Sequence, residues 1–103
     1  MRRLDLLIFP DFQILDATGP IAAFEIAARY APGAYDLHVV AAEPGPVRSS
    51  SGVALLAEGL EDAPLDTVMV SGGDGTRAAQ APSVLPWLKA ASARARRTAS
   101  VCS

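Results

Sequence analysis

The residue best suited to covalent chemistry is the single cysteine, Cys102, which follows the short strand-like run Thr98–Val101. A cysteine at the carboxyl end of a predicted parallel strand occupies the place where α/β folds usually carry a nucleophile. A reactive thiol needs a lowered pKa, which a helix N-terminus or a hydrogen-bond donor supplies. From the residues alone, an inert buried cysteine fits the same position equally well.

Asp16 is the second candidate, because it lies in the segment Phe12–Pro20 just before the first predicted helix. The commoner role of an aspartate there is to cap a helix or stabilise a loop. Beside Cys102, an ionised carboxylate would repel a thiolate, so the two groups would share one proton and titrate jointly. The arrangement that would assist the cysteine is a protonated Asp16 that donates a hydrogen bond to the sulfur.

Glycines follow a predicted buried strand in the string Gly72-Gly73-Asp74-Gly75-Thr76. Glycine lets backbone N–H groups approach an anion closely, so the string could form an oxyanion hole or a phosphate cradle. A turn without a ligand is the alternative. The string also resembles the nucleotide loop of NAD kinases and lipid kinases, which makes a nucleotide-binding kinase fragment a third functional interpretation.

The single histidine, His38, is predicted to lie in the middle of a strand, away from the edge where ligands bind, which favours a structural role. The sequence contains no metal-ligand spacing of histidine, cysteine and acidic residues. We therefore expect no metal and no cofactor. Arg94, Arg96 and Arg97 end a predicted helix, where cations complement the helix dipole.

Strands and helices alternate along the sequence, which indicates an α/β fold with a parallel sheet and right-handed crossovers. Strands are predicted at 4–9, 35–41, 67–70 and 98–101, helices at about 20–30 and 83–95, and a small hairpin at 47–50 and 53–56. Thr18 or Gly19 is predicted to cap the first helix, with Pro20 at its first position.

Three loops are then expected to meet at the carboxyl edge of the sheet, where ligands bind in such folds. They are Pro10–Gly19, Ser71–Gly75 and Cys102–Ser103. We expect Asp16 and Cys102 to lie side by side at this edge, with Gly72 and Gly73 beside them.

Composition favours one small globular domain, since the 103 residues are 50% hydrophobic and 19% charged. The formal net charge of −2 argues against nucleic acid as the partner of this segment. One cysteine cannot form an internal disulfide, so a reducing cytoplasm is the simpler expectation. The apolar run Leu6–Phe9 is too short for a signal sequence or a membrane span, so no membrane partner is expected.

Four segments follow one another in a characteristic order. They are the segment after the first strand (Phe9–Pro20), the hairpin (Pro46–Gly52), the double-glycine loop (Val70–Gly73) and the approach to the cysteine (Ala95–Ser103). Together they resemble motifs of the ThiJ/PfpI-like branch of the class I glutamine amidotransferase-like superfamily, over essentially the whole chain. The resemblance implies a flavodoxin-like parallel sheet with helices on both faces.

Two subgroups share these motifs: the GlxA-like, AraC-type transcription regulators, in which this fold is the N-terminal sensor domain, and isonitrile hydratase with related cysteine enzymes. The resemblance favours the regulators and implies a small-molecule ligand, a homo-oligomer and DNA contact only through a C-terminal domain that this chain lacks. The alternative is a cysteine-dependent hydrolase or hydratase. Family members continue beyond the cysteine, so residues 1–103 are expected to be an N-terminal portion truncated at the nucleophile elbow.

The resemblance also implies the residues of the site. Cys102 would be the nucleophile and Asp16 would assist it. The oxyanion or ligand-binding residues would be Gly72, Gly73, Thr18 and Ser103.

Overall fold

The computed structural model describes residues 2–72 and 84–101. The elements, in chain order, are β1 (Arg2–Leu7), α1 (Ile14–Tyr30), β2 (Tyr35–Ala41), β3 (Gly45–Arg48), β4 (Ala54–Gly59), β5 (Thr67–Ser71), α2 (Leu85–Arg94) and β6 (Arg97–Val101). Each predicted strand and helix is present, with ends that differ from the prediction by a few residues except at the start of α1. None of the helices within the described ranges is long and apolar enough to cross a membrane.

Within the described ranges, six strands form one sheet in the order β3-β4-β2-β1-β5-β6. β1 pairs in parallel with β2 on one side and β5 on the other, and β6 continues the sheet in parallel beyond β5. The hairpin of β3 and β4 contributes the antiparallel pair, as its sequence predicts. β1 lies in the interior of the sheet, and its residues Leu4, Leu6 and Leu7 are all buried. Its sequence is largely apolar because both faces of the strand are covered.

The two helices cover opposite faces of the sheet. The connection through α1 moves from β1 to β2, toward the hairpin edge of the sheet, and the connection through α2 moves from β5 to β6, toward the other edge. Because both connections are right-handed and move in opposite directions, their helices must lie on opposite faces of the sheet. Packing agrees with this, because Phe24 of α1 meets Tyr35 edge-on at 5.1 Å between ring centroids. Ala91 of α2 packs instead with Val68, which faces the other side of the sheet. The flavodoxin-like α/β architecture is therefore confirmed.

The start of α1 differs from the prediction. The helix begins at Ile14 rather than near Pro20, which is an interior residue of the helix. The Thr18-Gly19-Pro20 string is typical of a helix start, but the chain already turns helical after Gln13, whose backbone is extended (φ −78°, ψ 120°). The Thr18 hydroxyl, instead of capping, donates to the carbonyl of Ile14 at 3.0 Å. Asp16 consequently lies in the first turn of the helix and not in a preceding loop.

Pro20 gives a testable consequence for stability. It has no N–H to donate to the carbonyl of Asp16 four residues earlier, and proline in a helix interior costs about 3 kcal/mol relative to alanine. We expect Pro20→Ala to raise the free energy of unfolding by about 1–3 kcal/mol, measured by urea denaturation of the full-length protein. Ala22→Ser on the exposed side of α1 is the control and should change stability little. A Pro20→Ala variant less stable than the parent would contradict this account of the helix.

The segment between β4 and β5 is held in place by side chains from α2 and from the residues just after it. Trp87 donates its indole N–H to the carbonyl of Glu61 at 2.8 Å, and Arg94 donates to the carbonyl of Ala63 at 2.8 Å. Arg96 pairs with Asp66 at 2.7 Å and lowers the pKa of that carboxyl to about 2, with help from the hydrogen bond of Thr67. These arginines therefore fix a connecting segment as well as complementing the helix terminus.

Candidate functional site

The topology places the switch point of the sheet between β1 and β5. The crossovers from these neighbouring strands run in opposite directions, so the loops that follow them separate at a topological switch point. Ligands of open α/β sheets bind in the crevice at such a point, outside the carboxyl ends of the strands. The segment after β1 leads to Asp16, and the segment after β5 begins with Gly72.

The loop after β1 is tightly folded and anchored to the hairpin. Phe12 is fully buried, its N–H donates to the carbonyl of Phe9 at 3.0 Å, and Asp11 between them has a positive φ of 67°. Two backbone bonds then tie this loop to the hairpin: Asp11 N–H to the Arg48 carbonyl and Ser50 N–H to the Phe12 carbonyl, both 2.9 Å. These bonds at two adjacent residues just before α1 give the first turn of the helix a defined position.

Direct bonds join the carboxyl ends of β1 and β5. The Ser71 hydroxyl is buried and donates to the Leu7 carbonyl at 3.0 Å, and Gln13 N–H donates to the Gly72 carbonyl at 2.9 Å. The bond from Gln13 brings the start of α1 over the end of β5. Because neighbouring strands lie about 4.8 Å apart, this start is then about one strand spacing from β6. The sequence gives no signal for the role of Ser71, which reads simply as the polar end of an apolar strand.

Asp16 lies at this start of α1 and is 5% exposed. Its N–H donates to the Gln13 carbonyl at 3.0 Å, and its Oδ2 atom has no hydrogen-bond partner within residues 2–72 and 84–101. Burying a carboxylate oxygen without a partner costs free energy, so such groups in folded proteins usually serve a purpose.

The other predicted site residues fall into two groups. Gly72 is buried at the end of β5, with its carbonyl occupied by Gln13, and the Thr18 hydroxyl keeps acceptor lone pairs after its bond to Ile14. Gly73, Cys102 and Ser103 lie outside the described residues. Val101 of β6 pairs with Ser71 of β5, so the two strands end at the same level of the sheet. Gly72 follows Ser71, and Cys102 follows Val101.

His38 lies away from this crevice, as predicted, with its ring between Asp36 and Glu58. Among the residues that the structure describes, no cluster of three or more histidine, cysteine or acidic side chains could hold a metal ion.

The sequence is similar to that of known proteins. The family model described as the DJ-1/PfpI family matches residues 2–103. An uncharacterised protein in the cpoL 5′ region of Streptomyces lividans is 37% identical over 103 residues, which are 97% of this chain and 72% of that protein.

Solved structures share the fold. A ThiJ/PfpI family protein from Pseudomonas syringae is 26% identical with a TM-score of 0.83, over 96% of this chain and 41% of that chain. An AraC family transcriptional regulator from Pseudomonas putida is 22% identical with a TM-score of 0.66, over 71% of this chain and 48% of that chain. The chain thus spans less than half the length of these two solved structures. Because the family model matches nearly every residue, the protein belongs to the DJ-1/PfpI family.

Proposed function

We propose that this chain is the N-terminal portion of the ligand-sensing domain of an AraC-type transcription regulator, and that it binds a small amide-like metabolite at the β1–β5 crevice. The observation that carries the proposal is Asp16, a buried carboxylate at the switch point of the sheet whose Oδ2 atom has no partner among residues 2–72 and 84–101. An unpartnered oxygen at that place can accept from the N–H of an amide or, when protonated, donate to its carbonyl.

The surroundings of Asp16 suit a small polar ligand. The crevice has backbone groups from the end of β5 at Gly72. Thr18 is two residues beyond Asp16 on α1, so its hydroxyl lies on a different side of the helix from the Asp16 carboxylate. Gly73, Ser103 and Cys102 would complete the site. In this function Cys102 contacts the ligand without forming a bond to it.

The regulator assignment draws on the kind of protein that shares this fold. The solved relatives include the AraC family regulator of Pseudomonas putida and a transcriptional regulator protein of Vibrio parahaemolyticus. The net charge of −2 makes residues 1–103 a poor DNA-binding surface, so DNA contact would belong to another domain.

Two measurements on the full-length protein test the proposal. The reading frame beyond the codon for Ser103 should encode a helix-turn-helix pair. A reading frame that ends after about a hundred further residues would favour an enzyme. A panel of small primary amides should include compounds that raise the melting temperature of the parent and not of Asp16→Ala, with Asp11→Asn as the control on the neighbouring loop. Equal shifts in parent and Asp16→Ala would place binding elsewhere and contradict the proposal.

A cysteine-dependent hydratase is the second candidate, favoured by the level ends of β5 and β6, which lead to Gly72 and Cys102. Here the Cys102 thiolate would attack an electrophilic carbon and form a C–S bond. Water would then add to the same carbon, and the C–S bond would break to release the product and regenerate the thiolate. Asp16 would transfer the protons, and the glycine amides would stabilise developing negative charge. For an alkyl isonitrile, addition of one water gives the N-alkylformamide. If the full-length protein produces the formamide and the Cys102→Ser variant does not, the protein is a hydratase and not only a sensor.

A further inference from the structure

The side chain of His38 lies between two carboxylates on the face of the sheet that α2 covers. Its Nδ1 is 2.6 Å from Oε2 of Glu58 and its Nε2 is 2.9 Å from Oδ2 of Asp36. Ionised carboxylates only accept hydrogen bonds, so both ring nitrogens must donate, and both donate only in the imidazolium form. The geometry therefore describes a charged His38.

The charges around His38 favour that form. From β1, Asp5 pairs in register with His38 and is fully buried, with one oxygen bonded to Arg3 Nε at 2.9 Å. Arg3 also lies 3.8 Å from Glu61 of the segment after β4. Among the described residues, Asp36 and Glu58 contact His38 directly, while Asp5 and Glu61 pair with Arg3.

The pKa of His38 follows from these contacts. The hydrogen bond to Asp36 raises the pKa above its ordinary value of 6.5, burial lowers it, the hydrogen bond to Glu58 raises it and the charge of Arg3 lowers it, with a net increase. A raised folded-state pKa gives stability that is complete below the unfolded value and is lost as pH rises through the folded value. The contact should therefore weaken as pH rises through this raised pKa.

The His38–Glu58 contact joins the hairpin to the rest of the sheet where few other bonds do so. β4 pairs with β2 at Val40–Glu58 and Ala41–Gly59, so the ladder between the two strands is short. The other end of the hairpin bonds to the loop after β1, through Asp11 and Phe12. That loop leads directly to Asp16.

We propose that the His38–Glu58 contact is a pH-sensitive link that holds the β3–β4 hairpin on the sheet and, through the loop after β1, controls how firmly the candidate ligand site is ordered. Protonated His38 keeps both contacts, while neutral His38 places a lone pair against one carboxylate and loses it. The statement about the hairpin stands on these contacts alone; its consequence for the ligand site rests on the proposed function.

Hydrogen–deuterium exchange of the full-length protein between about pH 6 and 9 tests the link, with labelling times corrected for the intrinsic exchange rate. Peptides from 45–59 should lose protection about three- to tenfold as pH rises, and peptides from 8–16 should lose part of theirs. Peptides from β1 and β5 are the internal reference and should change little. In His38→Gln the protection of 45–59 should no longer depend on pH, because glutamine does not titrate.

Glu25→Gln is the matched control, since it breaks an exposed ion pair with Arg29 on α1, on the opposite face of the sheet. It should leave the pH profile of the hairpin unchanged. A profile that is flat in the parent, or that persists in His38→Gln, would overturn the link. A profile confined to 45–59 with no response in 8–16 would overturn its extension to the site. Neither readout involves Cys102 or a ligand, so these outcomes are independent of the amide-binding test of the proposed function.

Discussion

The Cys102 thiol of the full-length protein is expected to react with iodoacetamide at pH 7 about two- to fivefold faster than free cysteine. The predicted nucleophile elbow would place the sulfur near a helix N-terminus, which would lower the thiol pKa and raise the thiolate fraction above the roughly 3% of free cysteine at that pH. The gain stays moderate because a thiolate of lower pKa is also a weaker nucleophile.

Variants of Asp16 should separate its charge from its hydrogen bond. Asp16→Ala removes the donor and should slow alkylation about five- to tenfold relative to the parent, since the thiolate would lose the hydrogen bond that the shared proton supplies. Asp16→Asn keeps an N–H donor but removes the shared proton. The pH profile of its alkylation rate should therefore change from the two coupled steps of the parent to a single step.

Asp11→Asn is the control, because Asp11 is exposed on the same loop and asparagine tolerates its positive φ of 67°. It should leave the alkylation profile as in the parent. If Asp16→Asn and the parent titrate alike, Asp16 is a helix-start residue without influence on the thiol. If Cys102 does not react at all, ligand sensing gains over the hydratase.

The isolated 103-residue polypeptide is expected to self-associate in sedimentation experiments. Within the described residues, β6 is an edge strand, and its residues Arg97–Ser100 are exposed. It carries no proline, whereas Pro46 lies in β3 at the opposite edge, where it discourages pairing. An open edge of this kind pairs readily with a second chain.

The faces of the sheet add to this expectation. Strands that are apolar on both faces need cover from both sides, and α1 and α2 are the helices that the described residues provide. We expect an apolar surface near Val101 larger than the few hundred Å² usual for monomers. A clean monomer with a cooperative thermal transition would show that residues 1–103 are self-sufficient and that the view of a truncated domain is wrong.

The strands were predictable from sequence because buried parallel strands read as short apolar runs. Tyr35–Ala41 has the predicted bounds, and Thr67–Ser71 extends its prediction by one residue. The start of α1 was not predictable in the same way. Threonine, glycine and proline together are typical of a helix start, but tertiary bonds from Asp11 and Gln13 fix the chain earlier and outweigh the cost of Pro20.

The site was predictable in part for a topological reason. Residues after parallel strands converge at one edge, so the sequence predicts that Asp16 and Gly72 lie at the same edge of the sheet. The bonds that position them, from Gln13 to Gly72 and from Ser71 to Leu7, join residues far apart in sequence and follow no local pattern. The carboxylates around His38 depend likewise on the register of three strands, which spacing alone does not reveal.

The distance between the Asp16 carboxylate and the Cys102 sulfur, measured in a crystal structure of the full-length protein, tests the account most directly. The bond from Gln13 to Gly72 brings Asp16 toward the strand that leads to Cys102, so we predict a carboxylate oxygen within about 4 Å of the sulfur, a hydrogen-bond distance. A separation greater than about 6 Å, two hydrogen-bond lengths, would rule out the shared proton and contradict the proposed site.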